Sequence, residues 1–354
     1  MSISLKKMVL RLRIGKSLSR EDLAALLESG GENADFLRCQ ADALRQEVMG
    51  NRVHLRGLIE FSNHCERNCL YCGLRRGNTS LERYRLSGEE VFQVARTAVT
   101  LGYQTVVLQS GEDSQVSADD LARIVRRLKR ELDLAVTLCV GERDYEEYAL
   151  WRREGADRYL LKHETADPAI YRRLHPDMIW NRRTQRLAWL RKLGYQVGSG
   201  CMVGLPGQDA WSLAGDLIFL RTLDVEMAGI GPFVPHPATP LGNTPGGDVE
   251  MTLNAVALSR LLLPQVHLPA TTALGSIHPR GRQMALQAGA NVVMPNLTPK
   301  PYRRLYEIYP DKICLDDDPS HCRQCIQGII TSLGRRVADD PGHSPKLVFH
   351  KAMP

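Results

Sequence analysis

The sequence contains no run of about 18 apolar residues, which leaves no candidate for a membrane-spanning helix. Its first stretch, MSISLKKMVLRLRIGKSL, scatters basic residues among the apolar ones and lacks a small-residue cleavage site. That pattern argues against a secretory signal and predicts a cytoplasmic protein. Internal repeats and low-complexity tracts are also missing, so a repeat architecture is not expected. Neither sign of charge dominates: 46 Lys and Arg against 40 Asp and Glu leave +6. Such a mild excess suits an anionic ligand or an acidic electron-donor protein and does not indicate nucleic acid. The most basic run, Arg123, Arg126, Arg127, Lys129 and Arg130, lies opposite the apolar stripe Leu121, Ile124, Val125, Leu128 and Leu132, as on a solvated helix face.

What is present fits a globular protein, with 43% hydrophobic and 24% charged residues in 354. Nine cysteines in a reducing compartment are poor material for disulfides and better suited to metal ligation or catalysis. Residues 1–52 read as a helical extension. From Arg56 short β-branched runs alternate with amphipathic helical patterns. Strands are predicted at 57–62, 105–110, 134–140, 158–164, 196–203, 227–234, 267–273 and 291–296. Ser87 with Glu90 and Ser117 with Asp120 have helix N-cap spacing, and Gly102, Gly155 and Gly194 stand where helices end. Eight β-then-α units predict an α/β fold, a complete (β/α)8 TIM-type barrel over 53–300, with a six-stranded partial barrel as the alternative. A segment from 301 to 354 follows, carrying Cys314, Cys322, Cys325 and a basic tail expected to fray after 334.

Chemistry in such a barrel belongs at the C-terminal ends of the strands, and here those ends are polar or rich in Gly and Pro. After the first strand the chain reads Cys65-Glu-Arg-Asn-Cys69-Leu-Tyr-Cys72-Gly73. Three thiolates in a short loop suit three irons of a cubane cluster and leave the fourth open to a small molecule. The competing assignment is zinc, whose structural sites need a fourth ligand that only His64 offers, with awkward geometry.

Cys-x3-Cys-x2-Cys with Tyr71 before the last cysteine resembles the signature of the radical S-adenosylmethionine (SAM) superfamily. The resemblance implies a [4Fe–4S] cluster on Cys65, Cys69 and Cys72, with SAM chelating the open iron and undergoing reductive cleavage to a 5′-deoxyadenosyl radical. It further implies that Tyr71 and Tyr306 lie at the cofactor, that Gln109, Ser110, Gly111 and Glu112 meet the SAM amino group, and that Glu164 meets the ribose. Arg183 is implied at the carboxylate and Met202 at the adenine.

More narrowly, IEFSNHCERNCLYCGLRRGN, VVLQSGED, GADRYLLKHETADP, MVGLPGQ, GIGPFVPHPATPL, PATTALGS and ANVVMPNLTP resemble the HydE family of [FeFe]-hydrogenase maturases. Methylornithine synthase and biotin synthase are more distant relatives. The HydE resemblance implies action on an organometallic substrate, a cysteine-ligated iron carbonyl and cyanide synthon, and a cavity lined by Arg56, Thr137, Lys162, His163, Thr271 and Thr272. Lys162 stands where arginine is expected in the family. Thr271 and Thr272 are adjacent, so a regular strand turns only one of them inward. A low-potential donor such as ferredoxin or flavodoxin and other hydrogenase maturases are implied as partners. Cys314, Cys322 and Cys325 resemble an accessory Fe–S site, [2Fe–2S] or [4Fe–4S], against free or zinc-binding thiols. Cys139 and Cys201 invite an internal sacrificial cluster of the biotin synthase kind, against ordinary core packing. The alternatives to a HydE-type enzyme are a radical SAM enzyme acting on a small amino-acid-like or sulfur-containing substrate, and a noncatalytic metal scaffold.

Overall fold

A computed structural model describes residues 4–346. Six parallel strands form one continuous sheet: β2 (Gly57–Ser62), β3 (Thr105–Ser110), β4 (Ala135–Cys139), β5 (Arg158–Leu160), β6 (Gln196–Val203) and β7 (Met227–Pro232). β1 (Arg52–Leu55) precedes them and pairs with β8 (Val292–Val293) and β9 (Arg336–Val337) in a separate small sheet. Isolated parallel bridges, Met227 to His267, Pro269 to Val292 and Leu58 to Asn296, carry the ring on from β7 round to β2. The seventh and eighth positions are thus occupied by short bridged segments instead of the full strands predicted at 267–273 and 291–296. At the seventh, Thr271 caps the helix Thr272–Ile277 through its side chain, so helical backbone replaces the expected strand.

Strand alternation sorts the side chains. Ile59, Phe61, Val106, Leu108, Val136, Leu138, Ala228 and Ile230 turn outward into the core shared with the helices. Glu60, Gln109, Thr137 and Cys139 take the other face, toward the lumen. Ser87 forms the expected capping box with Glu90, and Ser117 accepts from the Asp120 N–H. Gly102, Gly155 and Gly194 adopt φ of 79°, 103° and 80°, which closes their helices.

The helices Leu5–Arg13, Arg20–Leu27 and Gly31–Met49 pack on the outer helices Ala210–Leu223 and Val249–Leu262. Of the tail expected to fray after 334, residues 347–354 lie outside the described residues, and the part before them is ordered by contacts. Residues 335–346 run under the barrel and plug its N-terminal mouth. Arg158 donates to Pro341 O at 2.7 Å, Arg56 to Gly342 O at 3.2 Å, and Gln196 Nε2 lies 2.9 Å from His343 Nδ1.

Candidate active site

The opposite mouth gathers most of the residues that motif spacing singled out. The cysteine loop leaves β2 at Ser62 and is held by backbone bonds, Glu66 N–H to Glu112 O at 2.9 Å and Leu70 N–H to Leu174 O at 2.9 Å. Gly111 fits against it so closely that a Cβ would lie 2.2 Å from His64 O and 2.8 Å from Cys65 Cβ. Gly73 is similarly confined, with Glu307 O 2.0 Å from where a Cβ would stand. Small residues are required here because two backbones touch.

All three thiols are pushed above the ordinary cysteine value, Cys72 to about 12, first by burial; Cys72 and Cys65 add to the rise at Cys69, and Cys65 to that at Cys72. The protein supplies no cation strong enough to ionise them, which is the task a bound metal performs. Among the described residues one set of three donor atoms lies within 4.8 Å of each other, and it is Cys314, Asp317 and Cys322. The loop thiols are not drawn together that tightly. A single zinc, at about 2.3 Å from each sulfur, requires such closeness. A cubane, with a separate iron under each thiolate, does not, so the loop fits a cluster.

Around the loop, Tyr71 packs with Met202, Ile170, Leu174, Leu205 and Phe233 in an apolar cluster separate from the main core. Its hydroxyl is 2.9 Å from His175 Nε2, while His175 Nδ1 is 2.8 Å from Tyr171 O. A carbonyl only accepts, so Nδ1 carries the proton and Nε2 accepts from Tyr71. Burial lowers the imidazole to about 4, which keeps it neutral. Glu164, at φ 65°, ends the fourth barrel segment and pairs with Lys162 at 3.0 Å. Burial pushes its carboxyl up, and Lys162 followed by His175 and Arg183 more than reverses this, holding it ionised. Arg183 is buried, 2.9 Å from Glu142 and 3.8 Å from Glu112, and donates to Tyr171 Oη at 3.2 Å. Burial opposes its charge, but Tyr171, Glu142 and Glu112 outweigh that. Glu112 also pairs with Arg67. Ser110 Oγ donates to Gly111 O at 2.7 Å, and Tyr306 reaches Gln109 in the lumen.

Thr137 Oγ1 is buried with no partner among the described residues and faces the lumen with Cys139. Thr271 lies beside Gly231 of β7, its Oγ1 3.1 Å from where a Cβ would stand. Of the other expected cavity residues, one stands at the plugged end of the barrel and one on the outer face of its wall. Arg56 precedes β2 and points to the plugged mouth, donating to Met227 Sδ at 2.7 Å. His163 faces the helix layer, 3.0 Å from Ser199 Oγ and packed on Trp180 and Phe219, because its neighbours Lys162 and Glu164 take the inner face. Cys201 belongs to the helix-side core whereas Cys139 takes the lumen face, so the barrel wall separates the two and they share no cluster. Cys325 is exposed and outside the Cys314, Asp317, Cys322 set.

Motif reading missed Glu60, Lys312, Asn296, His175 and Glu142. Glu60 is buried in the lumen, paired with Lys312 and accepting from Asn296 Nδ2 at 2.7 Å. The signal was a lone carboxylate inside the apolar strand Gly57–Ser62. A groove of about 500 Å³ beside Phe92, Ile124 and Arg127 lies outside the barrel wall and holds none of these residues.

A three-thiol loop above a parallel barrel, ringed by an acidic, an aromatic and a glycine-rich strand end, defines a radical SAM enzyme. The radical SAM superfamily model matches residues 59–220. The [FeFe] hydrogenase maturase subunit HydE of Thermotoga maritima is 51% identical over 309 residues, 87% of this chain and 88% of that protein. The chain therefore belongs to the HydE family. The 3-methylornithine synthase of Methanosarcina acetivorans is 30% identical over 79% of each chain. In architecture, a crystal structure of methylornithine synthase superposes with a TM-score of 0.80 at 26% identity, covering 95% of this chain and 97% of that one.

Proposed function

We propose that this protein cleaves SAM reductively and acts, as a HydE-type maturase, on a cysteine-ligated iron carbonyl and cyanide synthon during assembly of the [FeFe]-hydrogenase active-site cluster. The observation that carries this reading is the loop of Cys65, Cys69 and Cys72 fitted by Gly111 to the end of β3. When bound, a [4Fe–4S] cluster and SAM supply one-electron cleavage of the sulfonium to methionine and a 5′-deoxyadenosyl radical.

The chain's own residues bind and orient. Tyr71, fixed by His175, and Met202 present an apolar surface for the adenine. Glu164, kept ionised by Lys162, accepts from the ribose hydroxyls. Arg183 is aimed by Glu142 and offers its guanidinium to the SAM carboxylate. Gln109, Ser110, Gly111 and Glu112 receive the amino group. Deeper in the lumen the unpartnered Thr137 hydroxyl, Lys162, Tyr306 and the Thr271 and Thr272 helix start hold the substrate's anionic groups. The flanking helices and the tail exclude water.

The site works in the cytoplasm with a low-potential protein donor and the other hydrogenase maturases. Cys314 and Cys322, with Cys325 near them in sequence, hold an accessory Fe–S cluster. The 51% identity to a HydE protein against 30% to a methylornithine synthase favours this substrate over a small amino acid. The test is anaerobic reconstitution with SAM and dithionite, measuring 5′-deoxyadenosine and adenosylated product with and without the iron synthon. Cleavage with transfer to the synthon is expected. Absence of 5′-deoxyadenosine would remove the proposal, and product formed only from an amino acid would move it to the methylornithine synthase group.

A further inference from the structure

Arginine is distributed unevenly. Segments 65–85 and 167–186 each hold five arginines against two carboxylates, a combined surplus of six that equals the net +6 of the whole chain. The remainder of the sequence is therefore balanced, and the excess is confined to two stretches.

Those stretches meet on one face. Leu70 N–H donates to Leu174 O at 2.9 Å, and Met178 Sδ lies 4.0 Å from Cys69 Sγ. Residues 174–178 thus lie directly on the cysteine loop, with Arg172 before them and Arg182 after them. Some of the arginines are already engaged. Arg67 pairs with Glu112, Arg76 with Asp177, Arg85 with Asp113 and Arg183 with Glu142. Among the described residues Arg75, Arg83, Arg172, Arg173 and Arg182 have no carboxylate partner, and Arg172, Arg173 and Arg182 are exposed. Ile179, between them in sequence, is 52% exposed. Its neighbour Met178 is the side chain that touches Cys69 from this segment, so the exposed arginines flank a stretch in direct contact with the loop.

We infer that this face is the docking surface for an acidic one-electron carrier protein. The inference rests on the proposed cluster at Cys65, Cys69 and Cys72, because it names the route by which that cluster is reduced. Electron transfer weakens steeply with distance, so a donor must approach over a surface that touches the loop. The fields of the three exposed, unpaired guanidiniums attract a partner of opposite charge to that place. In the step the carrier loses one electron and the cluster gains it, with no atom exchanged.

The test uses the full reconstituted chain and the double variant Arg172→Glu/Arg182→Glu, neither residue belonging to the cofactor site. The control Arg96→Glu/Arg130→Glu, on the helices Gly88–Thr100 and Ala118–Leu132, makes the same change in overall charge. Binding of oxidised flavodoxin is measured by calorimetry, and 5′-deoxyadenosine is measured with reduced flavodoxin or with dithionite as donor. The double variant is expected to bind flavodoxin on the order of tenfold more weakly at low salt, with the difference shrinking as salt screens the charges. Its dithionite-driven cleavage should equal the wild type's. Unchanged binding, or an equal loss in Arg96→Glu/Arg130→Glu, would overturn the surface. Loss of dithionite-driven cleavage in the double variant would also overturn it, by assigning these arginines to the site. Failure of wild-type cleavage with dithionite would instead remove the cluster reading, while the binding arm still decides the surface.

Discussion

At the residue scale the site depends on contacts that only particular side chains permit. Gly111 is the clearest case, since an added methyl would overlap His64 O and Cys65 Cβ. Gly111→Ala is expected to fold but to displace the cysteine loop, lowering SAM cleavage by on the order of a hundredfold, as small misplacements at reacting centres do. Circular dichroism and a 5′-deoxyadenosine assay check this; wild-type turnover would show that the loop does not need this fit. The cysteines, Tyr71, Glu112 and Glu164 were legible because each belongs to a motif with its own spacing. His175 was not, because its role comes from Tyr171 O and Tyr71 Oη converging on one imidazole, a geometry with no trace in sequence spacing. Direction was equally hidden: His163 stands between Lys162 and Glu164, and a short irregular strand end does not announce which of three polar neighbours turns outward.

At the scale of elements, β2, β3 and β6 have the predicted bounds because alternating apolar residues and capped helices frame them. The seventh position departs from prediction because Thr271 is a better helix cap than a strand residue, its hydroxyl accepting from the Leu274 N–H. The tail was misread as frayed for a different reason. Its anchors are buried partners far away in sequence, Arg56, Arg158 and Gln196, which local composition does not reveal.

Those contacts give the tail a pH dependence. Burial depresses His54, His267 and His343, the last to about 4, and Arg56 or Arg158 adds to the depression of each. Asp340 beside His54 and Asp157 near His343 oppose it only in part. Their folded values lie below the unfolded value of about 6.5, so protons bind the unfolded strap first and stability falls as pH drops through that range. Hydrogen exchange of 335–346 is expected to quicken severalfold between neutral pH and about 5 while the β3 and β4 amides stay protected. A flat profile would mean that the histidines do not titrate with opening.

For the whole molecule, the barrel separates two ends with different tasks. One mouth collects the thiols, Glu164 and Arg183, and the other is closed by the chain's own tail. The (β/α)8 class was readable from the rhythm of strands and helices, whereas the Leu58 to Asn296 bridge and the separate sheet of β1, β8 and β9 arise from pairings between segments more than two hundred residues apart. The central claim concerns the three-thiol mouth, and electron paramagnetic resonance of the reduced, anaerobically reconstituted protein tests it most directly. The spectrum should contain a [4Fe–4S] signal that shifts when SAM is added and that disappears in Cys69→Ala together with 5′-deoxyadenosine formation. A signal indifferent to SAM, or one retained without Cys69, would contradict the account.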